Sequence, residues 1–245
     1  MLQAPRLLPA GDSAIAVEYG DGIDARTNAR VRLLQRALGA RPHPGIVETV
    51  PTYRSLMVHY DPVVLARQAV EDIITAASGL VPEEISEAVR TVEIPVWYGG
   101  EAGPDLADVA AAAGLDEQGA VDLHAGADYV VFMLGFMPGF PYLGGLPQRI
   151  ATPRLATPRT LVPAGSVGIA GAQTGIYPTE SPGGWRLVGR TPVRLFDARL
   201  SPPALLGPGD HVRFVPVSRS DYDAVAREVE TDAYRPVVRV RSAGP

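Results

Sequence analysis

The first third of the chain alternates between strand-like and helix-like patterns of hydrophobic residues. Strands have apolar side chains at every second position, and helices have them three and four positions apart. The resulting order, β-α-β-β-α-β, predicts a two-layer α/β sandwich with two helices on one face of an antiparallel sheet. The predicted strands cover residues 13–19, 46–51, 55–60 and 91–95. The first predicted helix runs from Asp24 to about Leu38 and is ended by Gly39. The second predicted helix begins at Asp61-Pro62.

The remainder of the chain has short apolar runs separated by Gly, Pro and Thr. Several short strands between turn residues are typical of a β-barrel or a β-sandwich. Asp105 and Asp116 lie at the starts of the first two predicted helices of this part and are interpreted as helix caps. The predicted helices cover residues 104–113, 116–124 and 221–230, and the strands cover residues 92–98, 129–134, 165–171, 184–189, 193–196, 211–217 and 236–240.

The change of pattern predicts two domains. The polar segment Leu80–Arg90, which contains Pro82, is interpreted as the linker between them. The predicted domains are residues 1–85, the α+β sandwich, and residues 86–245, the β-rich domain. The predicted fold class is therefore α+β.

Two residue types are missing from the sequence. There is no Cys, which excludes disulfides, a thiolate nucleophile and Cys-ligated metal. All 22 basic residues are Arg, so the chain has no Lys for a Schiff base, a P-loop or biotin attachment. Any chemistry that uses biotin or a P-loop lysine therefore needs another chain.

Charge and hydropathy limit the partners. A formal net charge of −5 gives no basic surface, so we expect no nucleic acid partner. The sequence contains no apolar run of about 18 residues, so we expect no membrane span. The N-terminus lacks a signal-peptide pattern, which favours a cytoplasmic protein. The four His residues are scattered, so we expect no metal site; His124 is interpreted as a partner of its helix C-terminus.

The most unusual segment covers residues 135–147, where Phe136, Phe140 and Tyr142 alternate with Gly and Pro. Such a segment cannot be a helix and is too rich in Pro for a central strand. Aromatic side chains on a stiff loop suit an apolar wall for a ligand or for a partner chain. The alternative is a rigid connector whose rings fill the local core.

A Thr-Pro-Arg triplet occurs twice, ending at Arg154 and at Arg159. Because Pro favours an extended backbone before it, the two guanidiniums are candidates for a bidentate clamp on a carboxylate or a phosphate. The alternative is two surface arginines paired with nearby acids.

Tight turns further along the chain carry hydrogen-bonding side chains. Gln173, Tyr177 and Ser181 are candidates to converge on a substrate that bears an amide or a carboxyl group. Residues 163–171 resemble a phosphate loop only superficially, because no helix follows them. Ser166 and Ser181 are weak candidates for an acyl nucleophile, since no His lies near them in the sequence.

The same segments resemble a known family. The motifs, in chain order, are GFxPGFxYLGxLP at 135–147, PRxxxPR at 153–159, VPAGSVGIAGxQTGIYP at 162–178, SPGGW at 181–185, GRTP at 189–192 and LFD at 195–197. They resemble the family of the 5-oxoprolinase B subunit, which includes allophanate hydrolase subunit 1 and the sporulation-kinase inhibitor KipI. They are also similar to subdomains C and D of the carboxyltransferase part of urea carboxylase.

The resemblance implies a cyclophilin-like β-barrel for the second domain. It implies one component, inactive alone, of a complex that hydrolyses 5-oxo-L-proline to L-glutamate with ATP. The implied partners are the C subunit, which is allophanate hydrolase subunit 2-like, and the A subunit; this chain carries no biotin. The alternatives are a regulatory protein that inhibits a sensor histidine kinase and one component of an amidolyase related to urea carboxylase and allophanate hydrolase.

The resemblance does not identify catalytic residues. Its motif positions supply candidates for substrate binding: Phe136, Phe140, Tyr142, Arg154, Arg159, Ser166, Gln173, Tyr177, Ser181, Trp185 and Arg190.

Overall fold

A computed structural model describes residues 5–22, 24–81 and 88–241 of the chain. The described residues form two compact units, one before the gap at residues 82–87 and one after it. The predicted domain boundary at residue 85 lies in that gap, outside the described residues, and stays a prediction. None of the helices in the described ranges is both long and apolar enough to cross a membrane.

In its described residues, the first unit is a four-stranded antiparallel sheet packed against two helices. The strands lie in the order β1-β2-β4-β3. Alternate apolar side chains of β2 and β4 are buried against the apolar faces of both helices, which confirms the predicted two-layer α/β sandwich. The elements are β1 (Arg6–Pro9), β2 (Ala14–Glu18), α1 (Ala25–Ala40), β3 (Ile46–Pro51), β4 (Ser55–Tyr60) and α2 (Arg67–Ser78).

Two helix ends and one strand of this unit differ from the predictions. Helix α1 does not end at Gly39 but runs one residue further, since a single Gly is tolerated in a helix. Helix α2 begins at Arg67, because the Asp61 carboxylate accepts a hydrogen bond from the Val63 N–H at 2.9 Å and stabilises a turn instead. The strand predicted at 91–95 does not close this sheet; β1 does, by pairing with β2.

The second unit is a closed β-barrel. Seven strands of the described part pair in the order β12-β9-β10-β7-β6-β13-β5, and β12 pairs again with β5. Strand β14 adds to the start of β5, and β8 pairs with β11. The strands are β5 (Val89–Tyr98), β6 (Tyr129–Leu134), β7 (Pro141–Gly144), β8 (Arg159–Val162), β9 (Ser166–Ala170), β10 (Gln173–Ile176), β11 (Ser181–Gly183), β12 (Arg186–Arg190), β13 (His211–Pro216) and β14 (Val238–Arg241).

Helices cover part of the barrel. The helices and sheets of the two units confirm the predicted α+β fold class. The Asp116 carboxylate accepts a backbone hydrogen bond in the first turn of α4, which confirms it as a cap. Most predicted elements of this unit are present with slightly different ends. The helices are α3 (Leu106–Ala112), α4 (Glu117–Ala125) and α5 (Arg219–Glu230), with a 3-10 helix at Gln148–Ile150.

Two predictions for the barrel are wrong. The segment interpreted as too rich in Pro for a central strand contains β7, which pairs with β6 on one side and β10 on the other. The strand tolerates Pro141 because this residue is its first. The strand predicted at 193–196 is absent; within the described residues this segment makes only an isolated bridge.

Candidate functional site

Five of the candidate residues form one cluster of rings on the barrel. The Phe140 ring lies at its centre, 4.9 Å from Tyr142, 5.2 Å from Tyr177 and 5.4 Å from Trp185, measured between centroids. The ring planes are tilted or nearly perpendicular, the arrangement that aromatic quadrupoles favour. We call Phe136, Phe140, Tyr142, Tyr177 and Trp185 the aromatic cluster.

Glycines on neighbouring strands make room for these rings. Gly175 of β10 is paired with Tyr142 of β7, and a Cβ at Gly175 would lie 3.0 Å from two atoms of the Phe140 ring. A Cβ at Gly183 would lie 2.5 Å from the Tyr177 hydroxyl. These contacts explain why glycine occupies these two positions: the rings lie across the backbone of adjacent strands.

Phe136 is the exposed member of the aromatic cluster. Its side chain is 62% exposed, whereas Phe140 is 1% exposed. Its backbone has φ of 64°, a left-handed conformation that aromatic residues rarely adopt. A turn imposes this conformation, since the Gly135 N–H donates to the Phe140 carbonyl at 3.2 Å. The turn therefore holds an apolar ring in solvent at the edge of the buried rings.

Arg154 lies beside the cluster. The centre of its guanidinium is 5.9 Å from the centroid of the Trp185 ring, a cation–π distance. The side chain is exposed and has no carboxylate partner among the described residues. Burial raises the pKa of Tyr177 and of Tyr142, and the positive charge of Arg154 reduces the increase in both. An anion at this position would thus meet an available guanidinium beside an apolar wall.

The second arginine of the repeat has a different environment. The Arg159 guanidinium donates to the Asp105 carboxylate at 2.8 Å, and the Leu187 N–H donates to the same carboxylate at 2.7 Å. Asp105 makes no side-chain cap, so its interpretation as a helix cap is wrong; its carboxylate instead joins α3 to β8 and β12. Arg159 has one buried terminal nitrogen without a hydrogen-bond partner. Arg154 and Arg159 therefore do not share a solvent-facing clamp.

The other polar candidates are spread over the barrel. Ser166 is buried in β9, and the Ser181 hydroxyl donates to the Pro182 carbonyl at 3.2 Å. Gln173 is half-buried on β10. The Arg190 guanidinium donates to the Ala164 carbonyl at 2.8 Å. Of the charged candidates, Arg154 lies over a ring of the aromatic cluster, and the charge of Arg159 also acts on Tyr177.

A buried polar network inside the barrel was not expected from the sequence. The Thr174 hydroxyl donates to the Gly168 carbonyl at 2.9 Å and therefore accepts from His124 Nε2, which lies 3.0 Å away. His124 Nδ1 then accepts from the Tyr98 hydroxyl at 2.8 Å. The imidazole is stacked on Phe214, with centroids 4.7 Å apart. We call Tyr98, His124 and Thr174 the histidine network.

The histidine network keeps its imidazole neutral. Burial lowers the pKa of His124 to about 3, so the ring carries no charge at neutral pH. The interpretation of His124 as a partner of its helix C-terminus is therefore wrong. Tyr98 precedes His124 by 26 positions, and Thr174 follows it by 50. No local pattern in the sequence could therefore have indicated their contact.

The aromatic cluster has the features of a binding surface. Among the described residues, no group of three His, Asp or Glu side chains could hold a metal ion. The aromatic cluster offers an apolar wall and one guanidinium. These features suit an anionic ligand with a small apolar body, or a partner segment of the same character.

The chain is similar to curated proteins over most of its length. The family described as carboxyltransferase domain, subdomain C and D, matches residues 5–206. The B subunit of the Bacillus subtilis (strain 168) 5-oxoprolinase is 44% identical over 228 residues, which are 89% of this chain and 95% of that protein. The B subunit of the Escherichia coli O157:H7 5-oxoprolinase is 46% identical over 220 residues, which are 88% and 97% of the two chains.

Solved structures share the fold. A crystal structure of the protein TTHA0988 has a TM-score of 0.75 at 40% identity and matches 84% of this chain and 40% of that chain. The K. lactis urea amidolyase has a TM-score of 0.82 at 23% identity, over 97% of this chain and 16% of that one, a similarity of fold alone. In both, the matching part lies within a longer chain. On these similarities, the chain belongs to the family of the 5-oxoprolinase B subunit, with the carboxyltransferase domain, subdomain C and D.

Proposed function

We propose that this chain acts as the B subunit of a complex that hydrolyses 5-oxo-L-proline to L-glutamate with ATP. The observation that carries the proposal is the 44% identity to the B subunit of the Bacillus subtilis 5-oxoprolinase over 95% of that protein. The match covers nearly the whole of a protein that carries this name. The match to the urea amidolyase supports the fold but is too distant to favour a urea-derived substrate.

The proposed reaction is demanding because a lactam is a resonance-stabilised amide. Transfer of the terminal phosphoryl group of ATP to the lactam oxygen would activate the ring carbonyl carbon. A first water would add to that carbon, and the ring C–N bond would break with the nitrogen leaving as the amine. A second water would hydrolyse the resulting acyl phosphate and release phosphate. The balance is one 5-oxoproline, one ATP and two waters to one glutamate, one ADP and one phosphate. Developing negative charge on phosphate is the kind of charge that a fixed guanidinium stabilises.

The aromatic cluster and Arg154 are the part of this chain that we assign to substrate. The guanidinium of Arg154 would bind the carboxylate of 5-oxoproline or the transferred phosphate, and the rings would pack against the apolar edge of the five-membered ring. Arg154 supports this assignment because it is exposed and lacks a carboxylate partner in the described residues. Arg159 would act indirectly, by keeping β8 in place through Asp105.

The proposal requires further proteins. This chain has no Lys and no Cys, and the aromatic cluster contains no nucleophile paired with a base. In TTHA0988 the matching part covers 40% of a longer chain, which supports a role beside other domains. We assign the catalytic chemistry that this chain lacks to a C subunit, which is allophanate hydrolase subunit 2-like, and to an A subunit. ATP would be bound by the assembled complex.

Reconstitution with omission tests the proposal. The chain is co-expressed with the proteins from the same source that resemble the A and C subunits, and glutamate release from 5-oxoproline is measured with and without ATP. We expect glutamate only when all three proteins and ATP are present. Failure of the full assembly to release glutamate would overturn the proposal, as would turnover by this chain alone.

A further inference from the structure

Strand β14 leaves one edge of the barrel sheet open. It pairs with β5 on one side, and within the described residues no strand pairs with its other side. All of its residues are exposed, and so is the residue before it: Val237 is 48% exposed, Val238 43% and Val240 70%. An open edge of β-branched residues is a template for another strand, and proteins usually shield such edges.

The pairing with β5 determines which amides face outward. The Glu93 N–H donates to the Val237 carbonyl at 3.0 Å, which makes these two a hydrogen-bonded pair. Hydrogen-bonded and non-hydrogen-bonded pairs alternate along an antiparallel ladder, so the backbone N–H and C=O groups of Arg239 and Arg241 also point to β5. The N–H and C=O groups of Val238 and Val240 therefore point to the open edge.

The charge of this edge favours an acidic partner. The sequence from Arg235 to Arg241 contains three arginines and no acidic residue, although the whole chain has a net charge of −5. Arg239 donates to the Glu93 carboxylate at 2.9 Å. Arg235 donates to backbone carbonyls and has no carboxylate partner in the part of the chain described. An extended segment with alternating acidic and apolar residues would complement this pattern.

The same charges disfavour a second copy of this chain. Residues with outward amides would pair with each other across an antiparallel two-fold axis. Val238 of one copy would then face Val240 of the other, and Arg239 would face Arg239 of the other copy. Like charges directly opposite in a ladder are destabilising.

A cavity adjoins this edge. Its volume is about 660 Å³, and it lies between residues 193–205 and 229–236, the segment that leads into β14. Its walls are mostly apolar, with Leu205 and Pro236 among them. The Arg194 guanidinium in the cavity is paired with the carboxylates of Asp197 and Asp232, and Arg235 contributes a further guanidinium. A segment that pairs with β14 could place one apolar side chain in this cavity.

We propose that the open edge of β14 binds, as an added strand, an extended segment of the C-type partner, the protein that resembles allophanate hydrolase subunit 2. The acidic residues of that segment face Arg235 and Arg241, and one apolar residue enters the adjoining cavity. Strand addition of this kind takes affinity from backbone hydrogen bonds and specificity from side chains at alternate positions. The inference rests on the proposed function in one respect, because it takes the C-type partner to belong to the 5-oxoprolinase complex.

Paired variants of one residue test the backbone contact. Val240→Pro removes an outward N–H without touching the bonds to β5, and Val240→Thr keeps the N–H and the branched side chain. Affinity is measured for the co-expressed C-type partner. We expect Val240→Pro to weaken binding by about 30-fold or more and Val240→Thr by less than about threefold. Melting temperatures of the free variants confirm that both are folded.

A second pair tests the charges. Arg235→Glu combined with Arg241→Glu should weaken binding by about tenfold and reduce its dependence on salt. Arg67→Glu, an exposed arginine on α2, should leave affinity unchanged. If the double variant binds as the wild type does, the acidic segment is refuted.

Hydrogen exchange of the wild-type complex gives a result that does not depend on variants. The amides of Val238 and Val240 should become protected when the C-type partner binds. Unchanged exchange there in a complex that forms, or wild-type affinity of Val240→Pro, would overturn the proposed edge while leaving the proposed function intact. Absence of any binding by the wild-type chain would overturn both.

Discussion

Two polar regions of the barrel contrast in how far their groups are satisfied. In the histidine network every polar side-chain atom of His124 has a partner, and the ring is 2% exposed. At the aromatic cluster, Phe136 is 62% exposed and Arg154 lies over Trp185 without a carboxylate partner in the described chain. The first region is closed and neutral, whereas the second is open and positively charged.

The contrast separates groups that stabilise the fold from groups that are available to a ligand. Burying a polar group is unfavourable unless it is hydrogen-bonded, and a satisfied buried network makes the fold specific. An exposed guanidinium beside apolar rings has the opposite property, since its donors remain free for an anion. Variants in the histidine network should therefore change stability, and variants at the aromatic cluster should change activity.

The largest expected effect is in the histidine network. His124→Ala removes a ring stacked on Phe214 and leaves the Tyr98 hydroxyl without its imidazole partner, and the Thr174 hydroxyl keeps only its bond to the Gly168 carbonyl. We expect the free energy of unfolding to fall by about 3–5 kcal/mol, from the cavity and the unpaired groups together. Chemical denaturation measures this change. Gln118→Ala, on the exposed face of the same helix, should change it by less than about 0.5 kcal/mol.

The next effect is on activity. In the reconstituted complex, Arg154→Lys keeps the positive charge but loses the planar fork, so kcat/KM should fall by about 30- to 1000-fold, or about 2–4 kcal/mol. The melting temperature should stay near that of the wild type. Arg213→Lys, an exposed arginine on β13, is the matched control and should retain activity. Nearly full activity of Arg154→Lys would remove this residue from the proposed site.

The pH dependence of stability sharpens the contrast. The pKa of His124 is about 3 in the folded chain and about 6.5 in the unfolded chain. Between these values the unfolded state binds the proton and the folded state does not, so stability falls as the pH falls below about 6.5. From pH 7.5 to pH 5 this residue should remove about 2 kcal/mol. Over the same pH range, the free energy of unfolding of His124→Gln should fall by that much less than that of the wild type. Equal pH dependence of the two proteins would contradict a buried neutral imidazole.

The smallest effect concerns the second arginine of the repeat. Arg159→Lys should lower the free energy of unfolding by about 1 kcal/mol, because one charged hydrogen bond to Asp105 is weakened rather than lost. Activity of the folded complex should remain close to that of the wild type. The same substitution at Arg154 should instead lower activity and leave stability nearly unchanged. A large loss of activity with unchanged stability would place Arg159 at the substrate.

Much of the fold could be predicted from local patterns. Strand β4 has the predicted bounds, and its residues alternate between half-buried and buried positions. Strand β3 also has the predicted bounds, although its pairing with β4 is irregular between Ile46 and Glu48. The Asp24 cap of α1 was also predictable, since its carboxylate accepts from the Thr27 N–H at 2.8 Å. Strand β7 was not predictable, because its Pro suggests a loop and only pairing with two neighbours makes it a strand.

The candidate site was predictable in its composition but not in its geometry. The motif rich in Gly, Pro and aromatic residues indicates a special segment, and its rings do form one cluster. The repeat of Thr-Pro-Arg implies two equivalent arginines, yet Asp105, 54 residues away, pairs with one of them. The histidine network depends on contacts between distant residues, which no spacing along the chain encodes.

Coupled product formation tests the central claim most directly. Glutamate and phosphate are measured together in the assembled complex supplied with 5-oxoproline and ATP, and in this chain alone. We expect the two products in equal amounts from the complex, neither without 5-oxoproline or without ATP, and none from the chain alone. Phosphate without glutamate from the complete complex, or glutamate formed without ATP, would contradict the account.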